Sequence, residues 1–588
     1  MKRMPPRWRC EFAFGLLAVA MVGLTVRLVL LIQEQGARAA ELAERQQRRV
    51  IRVPGRMGEI FARTRNGYVL VAGSKQTPSC FADPALVPEQ RIIATASELG
   101  EALELPPRDV LKSIVSRREK RFVWIKRDLL PVEADAVRSI GNPAVGVMRE
   151  WRRYYPNGPL AATVLGFRHI DGGPGGGLEA TLDQYLQAEA GRRVTLVDAA
   201  RRPIWTIPDE SRPARDGFDV FLCLDARIQG FLERAVRESV ARFGIEGQTW
   251  ATGVVVEPYS GRVLAMCSVP SFDPGNVDPE QLDRCANRTV SMPFEPGSAA
   301  KPLFAAAAVE AELLTYDSEL FCENGVWRAP RGGTIRDHGE SHGDLTLTDI
   351  NVFSSNIGMG KVGLLLGNER LHATAHAYGF GRPTGIGLPG EDAGIVRELA
   401  KWNTYSTPRV PFGQEISVTQ IQLAMAFSAL VNGGVLLKPR VVEEIREASG
   451  EVVHRGRTEA VRRVLSERVS VQTREVLRQV VARGTGKTAR LSQWSSFGKT
   501  GTAQIAGPGG YVEGAYTGTF VGGAPVSRPR LLCAISVYHP DAERGYYGSK
   551  VAAPYVKQVL ERALEYLDVP SDLGTASADG AQTYLAGR

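Results

Sequence analysis

Long apolar runs are scarce in this 588-residue chain, and only Phe12–Ile32 is long enough to matter. Cysteine is scarce too: Cys10, Cys80, Cys223, Cys267, Cys285, Cys322 and Cys533 are scattered with no C-x-x-C pair. That spacing argues against a zinc knuckle and a dithiol redox centre. No region has a collagen-like, disordered or disulfide-scaffold composition, because 44% of residues are apolar and 23% charged. Charge of one sign is also lacking. A net +8 spread over this length is too dilute to argue for nucleic acid, which needs basic residues gathered on one face. Lysine is rare among the basic residues, 13 of 72, so each lysine carries more information than usual.

What is present starts with the apolar run. Its 21 residues, at the rise of an α-helix, reach about 31 Å, the thickness of a bilayer core. Arg27 lies near one end, where its side chain can snorkel to the interface. A cleaved signal peptide is the alternative, with Ala37-Arg38-Ala39 as a loose cleavage site. The run exceeds the usual 7–15 residue apolar core of such peptides, which favours an uncleaved anchor. Lys2, Arg3, Arg7 and Arg9 precede the span, but Arg38, Arg45, Arg48 and Arg49 follow it. Orientation therefore rests on economy: a short cytoplasmic head at 1–11, an anchor at 12–32, and a large translocated remainder.

Residues 33–50 read as a juxtamembrane helix or linker. From 51 to 215 the texture is mixed, with a β-like run at Tyr68–Ala72 and glycines at Gly172–Gly177. After Asp216 the pattern sharpens. Val220–Leu224 reads as a strand, and Asp225 is placed to cap a helix whose Ile228, Phe231, Leu232 and Ala235 share one face. Ala251–Glu257 and Val263–Val269 flank a Ser260-Gly261 turn. Thr517–Gly523 and Arg530–Tyr538 read as further strands, Val551–Leu567 as a closing helix, and 569–588 as a tail. A sheet covered by early and late helices is a layered α+β or α/β architecture.

Three short motifs carry candidate chemistry. Ser298-Ala299-Ala300-Lys301 follows a Glu295-Pro296-Gly297 turn and leads into the Ala-rich stretch Leu303–Leu314, which is strongly helical by composition. Residues three apart on a helix are neighbours, so Lys301 can reach the Ser298 hydroxyl and serve as its base once its pKa is lowered. A second S-x-x-K match, Ser496 to Lys499, lies in a β-like stretch where residues three apart point to opposite faces. The bland reading of the first pair is a capping serine beside a surface lysine. Ser354-Ser355-Asn356 precedes helical Ile357–Leu366 and alone reads as an ordinary helix cap. Lys499-Thr500-Gly501-Thr502 sits in a strand, where hydroxyls and an amine can hold a carboxylate and Gly501 permits close backbone approach.

Their order is more telling than any one of them. S-x-x-K, S-x-N and K-T-G, here 56 and 145 residues apart, form the recognised signature of penicillin-binding proteins and class A β-lactamases. The chain resembles the class B penicillin-binding proteins further, in Gly261–Met266, Ser268–Pro274, Thr384–Glu391, Ile416–Gln422, Asn432–Gly434, Gly498–Ala503 and Tyr546–Gly548. Upstream, Arg56–Ile60, Tyr155–Gly166 and Gly177-Leu178-Glu179 resemble that family's membrane-proximal pedestal. Ala62, Ala299-Ala300 and Phe412–Glu415 depart from the usual pattern without removing a reactive group.

The resemblance implies an α+β fold. A transpeptidase domain at 216–568, with an antiparallel sheet flanked by helices and a helical subdomain, follows an elongated mixed α/β pedestal at 33–215. It implies a peptidoglycan D,D-transpeptidase of the cytoplasmic membrane, with its catalytic domain outside the cytoplasm. In that reading Ser298 attacks the D-Ala-D-Ala carbonyl of a stem peptide, and Lys301 is its base. Ser354 relays a proton to the leaving amine. Asn356 holds Lys301 and the substrate amide. Lys499 adds positive potential and lowers the pKa of Lys301. Thr500, Gly501 and Thr502 bind substrate, and backbone N–H groups of Ser298 and Thr502 form an oxyanion hole. Both half-reactions are acyl transfers, so no metal or organic cofactor is implied. β-Lactams are expected as covalent inhibitors, and a membrane glycosyltransferase and other division proteins as partners. A division-type role is the main expectation; an elongation-type synthase and a catalytically idle β-lactam-binding scaffold are the alternatives.

Other patterns compete. Gly339-Glu340-Ser341-His342-Gly343 matches a hydrolase nucleophile elbow, but lacks the apolar strand before it and the helix after it. His338…His342 and His372…His376 have i, i+4 spacing without the glutamate of H-E-x-x-H and read as surface histidines. Gly484–Thr488 imitates a P-loop, with Val481 where the first glycine belongs.

Overall fold

The computed structural model describes residues 7–198, 203–330, 333–507 and 509–573. The first six residues of the expected head, residues 331–332 of the stretch before Ser341, and 574–588 of the expected tail lie outside the described residues. The chain divides into two compact units, 1–56 with 188–216, and 57–187 with 217–588.

In the first unit Arg7–Gln47 is one helix of 41 residues, long and apolar enough to cross a membrane. The polar segment after the apolar run continues it without a break, because Ala, Glu, Gln and Arg are good helix formers. Strand Arg48–Val53 follows, pairing antiparallel with Gly191–Val197, which in turn pairs with Pro203–Thr206.

The second unit contains two large sheets. One runs Val452–Arg455, Val442–Arg446, Asp219–Asp225, Ile60–Thr64, Gly67–Ala82 and Val123–Lys126, with Val145–Tyr154 also pairing Gly67–Ala82. Ile60–Thr64 and Asp219–Asp225 are parallel, and the other pairs are antiparallel. Next to this sheet Glu179 is fully buried between Arg153, at 2.6 Å, and Arg168, at 2.8 Å.

The other sheet is wholly antiparallel, in the order Val263–Val269, Trp250–Val256, Leu531–Tyr538, Gly510–Ala524 and Phe497–Gly507. The expected Ser260-Gly261 turn joins the first two, with Gly261 at φ +71°. Both faces are apolar, so alternate residues enter different cores. Val255, Cys533 and Phe520 pack under helices Ala226–Phe243 and Ala553–Tyr566. Val254, Ala534 and Val521 pack under a helical layer that includes Lys301–Glu310, Gln420–Val431 and Glu467–Arg483. Asp225 caps the first of these helices, accepting from the amides of Arg227 and Ile228.

Two helices differ from the sequence reading. The Ala-rich helix ends at Glu310, not Leu314. Glu312 turns left-handed at φ +55°, and the Leu313 amide donates back to the Ala308 carbonyl, the closure of a Schellman motif. The expected helix Ile357–Leu366 does end at Gly367 (φ +71°), but a second helical stretch continues past that break, so the whole runs Asn356–Ala377.

Candidate active site

Three separate pieces of chain converge on a cavity of about 300 Å³. Ser298 enters from a short 3-10 turn, Gly297–Ala300, which runs directly into Lys301–Glu310. The turn is pressed onto neighbouring backbone. A Cβ on Gly297 would meet the Thr502 carbonyl at 2.8 Å, and one on Gly413 would meet the Gly297 carbonyl at 2.2 Å. Ser298 is half-buried and lines the cavity with Ser354, Asn356, Thr500 and Thr502.

Lys301 lies beneath the surface at 0% exposure. Its amine donates to the Ser354 carbonyl, to Ser354 Oγ at 3.1 Å and to Asn356 Oδ1 at 2.8 Å. Ser354 can offer both oxygens because it closes helix Leu347–Phe353 in the left-handed region, φ +65°. A non-glycine residue there is strained by about 1–2 kcal/mol, and such strain gathers at functional sites. Lys499, also at 0% exposure, donates to the same Ser354 Oγ at 3.0 Å and to the Thr500 carbonyl at 3.2 Å. Among the described residues the Ser298 hydroxyl takes no part in this network and stays open to the cavity.

Burial pushes the Lys301 amine down to about 7, against the opposing pull of Asp337 and Cys322. Burial, and then repulsion from Lys301, push Lys499 well below its ordinary value. Two desolvated amines sharing one hydroxyl each disfavour a proton on the other.

Gly501 is packed against the turn that bears Ser298. It does not line the cavity: a Cβ there would meet the Pro296 carbonyl at 2.7 Å and Ala299 Cβ at 3.2 Å. Alternation on strand Phe497–Gly507 turns Thr500 and Thr502 to the cavity and Gly501 to the turn that bears Ser298. The close approach that Gly501 permits is therefore to the protein's own backbone.

Some contributors escaped the sequence reading. Asp337 sits over the N-terminus of helix Asn356–Ala377, accepting from Ser355 Oγ and from the amides of Asn356 and Ile357. Thr485 lines the cavity and shares a 2.8 Å hydrogen bond with Thr500. Its sequence setting imitates a P-loop, and nothing local marks its hydroxyl as part of a site. Tyr516, Tyr546 and Tyr547 stack at 4.0 and 4.4 Å to form an aromatic wall. His338, read as a surface histidine, is exposed but also lines the cavity.

The competing motifs are placed elsewhere. Ser341 lies exposed in the loop between the short strands Gly333–Arg336 and Asp344–Thr346, with no helix directly after it. His372 and His376 approach at 3.3 Å, but no group of three or more metal-binding side chains exists among the described residues.

This arrangement is a serine beside a buried amine pair, with two hydroxyl-bearing threonines on a sheet edge, which suits acyl transfer from a substrate ending in a carboxylate. Comparison with known proteins agrees: the penicillin-binding protein transpeptidase domain matches residues 251–561. This chain belongs to the penicillin-binding protein transpeptidases. The probable peptidoglycan D,D-transpeptidase PenA of Neisseria meningitidis is 31% identical over 98% of this chain and 96% of its own. The peptidoglycan D,D-transpeptidase FtsI of Escherichia coli is 27% identical over 96% of this chain and 93% of its own. Penicillin-binding protein 3 of Mycobacterium tuberculosis, solved with aztreonam, superposes with a TM-score of 0.68. It is 27% identical and covers 90% of this chain and all of its own. The class B character and the α+β transpeptidase fold expected from the sequence are borne out, and the chain is a serine-type D-Ala-D-Ala transpeptidase.

Proposed function

We propose that Ser298 is the nucleophile of this transpeptidase and that the Lys301–Ser354–Lys499 network moves its protons. The observation that carries the proposal is the single Ser354 hydroxyl lying within 3.1 Å of both buried amines. An amine that titrates near 7 is substantially neutral at physiological pH. Neutral Lys301 keeps two N–H donations and a lone pair that takes the Ser298 proton. Ser298 Oγ then bonds to the penultimate D-Ala carbonyl carbon, and the bond to the terminal D-Ala nitrogen breaks. The proton reaches that leaving amine through Ser354. A second stem-peptide amine attacks the acyl-enzyme by the reverse path, freeing Ser298 and forming the cross-link.

Strand Phe497–Gly507 is at the sheet edge, so its outward backbone groups are available to an extended peptide. Thr500 and Thr502 take the terminal carboxylate, whose arrival favours a proton on Lys499. Amides of Ser298 and Thr502 serve as the oxyanion hole, where one donor is worth about 3–4 kcal/mol. β-Lactams acylate the same serine. Residues 33–215 act as a pedestal between an inner-membrane anchor and a transpeptidase domain at 216–568 outside the cytoplasm. A membrane glycosyltransferase and other division proteins are the partners.

The role we assign is septal, supported by a modest region between the apolar helix and the transpeptidase domain and by full-length likeness to FtsI. The chemistry is tested by D-Ala release from a pentapeptide donor, retained by wild type and abolished in Ser298→Ala. Depletion tests the role: filaments without septa support it, and rounded cells assign the enzyme to elongation instead.

A further inference from the structure

The edge strand Phe497–Gly507 continues past the cavity. With Gly510–Ala524 it forms a hairpin whose far end carries Tyr511, opposite Ala506. Between the Gln504–Tyr516 and Ala506–Tyr511 pairs one residue intervenes on the first strand and four, 512–515, on the return strand. A bulge of this kind bends the strand and re-aims its side chains. Here the Tyr511 hydroxyl donates to Glu295 Oε2 at 2.9 Å. Glu295 stands three residues before Ser298, at the head of the turn that bears it.

Glu295 thereby joins three pieces of chain. Its other oxygen, Oε1, accepts from the Glu415 amide at 2.9 Å. Glu415 is left-handed at φ +65°, and its carboxylate is held by Arg397 and by Ser406 Oγ, the latter at 2.7 Å. Residues 412–415, of which Phe412 and Gln414 line the cavity, and the hairpin, of which Gln504 lines it, are both tied to the serine's own turn. Among the described residues Glu295 has no cationic partner. A half-buried carboxylate without a cation is costly unless hydrogen-bonded, so these two bonds are what settle it here. Neither Glu295 nor Tyr511 lines the cavity itself.

The edge strand is buried from Phe497 to Gly501 and exposed at Gln504. With the terminal carboxylate on Thr500 and Thr502, the residues N-terminal to the scissile bond run along the strand toward Gln504 and the hairpin end. We propose that Glu295 and Tyr511 are positioning residues for the acyl donor. Their hydrogen bond holds the hairpin end against the Ser298 turn and so sets the groove that receives the stem peptide N-terminal to the scissile bond. That role rests on the reading of Ser298 as the acylated residue.

The test measures kcat and KM for D-Ala release from a pentapeptide donor, with the full chain in detergent. Beside it runs acylation by benzylpenicillin, a compact agent that does not extend along the strand. Tyr511→Phe should lower kcat/KM for the donor about tenfold, chiefly through KM, as expected for the loss of one hydrogen bond to a charged group. Its benzylpenicillin acylation and melting temperature should stay near wild type, because Tyr511 is exposed. Glu295→Ala should lose at least as much. Glu295→Gln should recover most of that loss, since its amide oxygen still accepts from Glu415 and its nitrogen donates to Tyr511. Donor and penicillin rates that fall together in Tyr511→Phe overturn the positioning role, as does a Glu295→Gln loss as great as that of Glu295→Ala. Wild type that benzylpenicillin does not acylate at Ser298 removes the nucleophile, and the positioning role with it. Acylation at Ser298 beside an unchanged donor kcat/KM in Tyr511→Phe overturns the positioning role alone.

Discussion

Lys301 and Lys499, carried by a helix and a sheet edge, direct their buried amines at one and the same oxygen, Ser354 Oγ, from 3.1 and 3.0 Å. Each amine is desolvated, and each depresses the ease with which the other holds a proton. Such a pair, in the proposed mechanism, supplies a base without histidine.

A pH profile follows from that pair. In the proposed mechanism only neutral Lys301 accepts the Ser298 proton, so the second-order rate of penicillin acylation should fall as pH drops through about 7. Asp337 favours the protonated amine, so Asp337→Asn should move that limb to lower pH. The same change weakens the cap on helix Asn356–Ala377 and should cost about 1 kcal/mol of stability. Stopped-flow acylation across pH 5–9, beside thermal melts, measures both; an unmoved limb removes Asp337 from control of Lys301.

Lys499 separates activity from stability. It is a fully buried amine whose surroundings among the described residues offer a hydroxyl and a carbonyl but no carboxylate partner. Lys499→Met keeps the side-chain volume while removing the desolvation cost, so the melting temperature should hold or rise. Acylation should slow by about a hundredfold, a loss typical of an electrostatic contributor. A variant that melts early yet acylates normally would contradict this.

Gly501 makes a steric prediction. Gly501→Ala places a methyl 2.7 Å from the Pro296 carbonyl, so either the strand or the Ser298 turn moves. Overpacking of this kind costs about 1–3 kcal/mol. Acylation should fall along with stability, whereas a substrate-contacting role for Gly501 would leave the melting temperature alone. Paired melting and acylation measurements distinguish the two.

Far from the cavity, Glu179 is buried between Arg153 and Arg168. Removing it leaves the buried Arg153 guanidinium without a carboxylate and Arg168 with Asp183 alone, and breaking such a buried pair typically costs about 3–5 kcal/mol. Glu179→Ala should lower the melting temperature sharply while the acylation rate of the folded fraction stays near wild type. A melt indistinguishable from wild type would mean that the arginines find other partners.

The local features of this fold are legible in the sequence because they depend on near neighbours. The Asp225 cap, the Gly261 turn and the strands that carry the K-T-G segment each follow from short-range patterning. The site residues are legible by motif order, since Ser298, Ser354 and Lys499 each have a bland reading alone. Pairings between distant segments are not legible. Ile60–Thr64 lies parallel to Asp219–Asp225 across about 160 residues, and no local periodicity encodes that register. Asp337 and Thr485 act from loops whose composition is ordinary, and the lowered proton affinity of Lys301 and Lys499 depends on burial that only packing decides. Gly501 was marked for close approach, but which backbone approaches it is a tertiary fact.

The central claim is that Ser298 is the acylated residue. Labelling the membrane-bound protein with a fluorescent penicillin and identifying the modified peptide by mass spectrometry tests it most directly. The account predicts one covalent adduct on Ser298, lost in Ser298→Ala. An adduct on another serine, or labelling that survives Ser298→Ala, would contradict it.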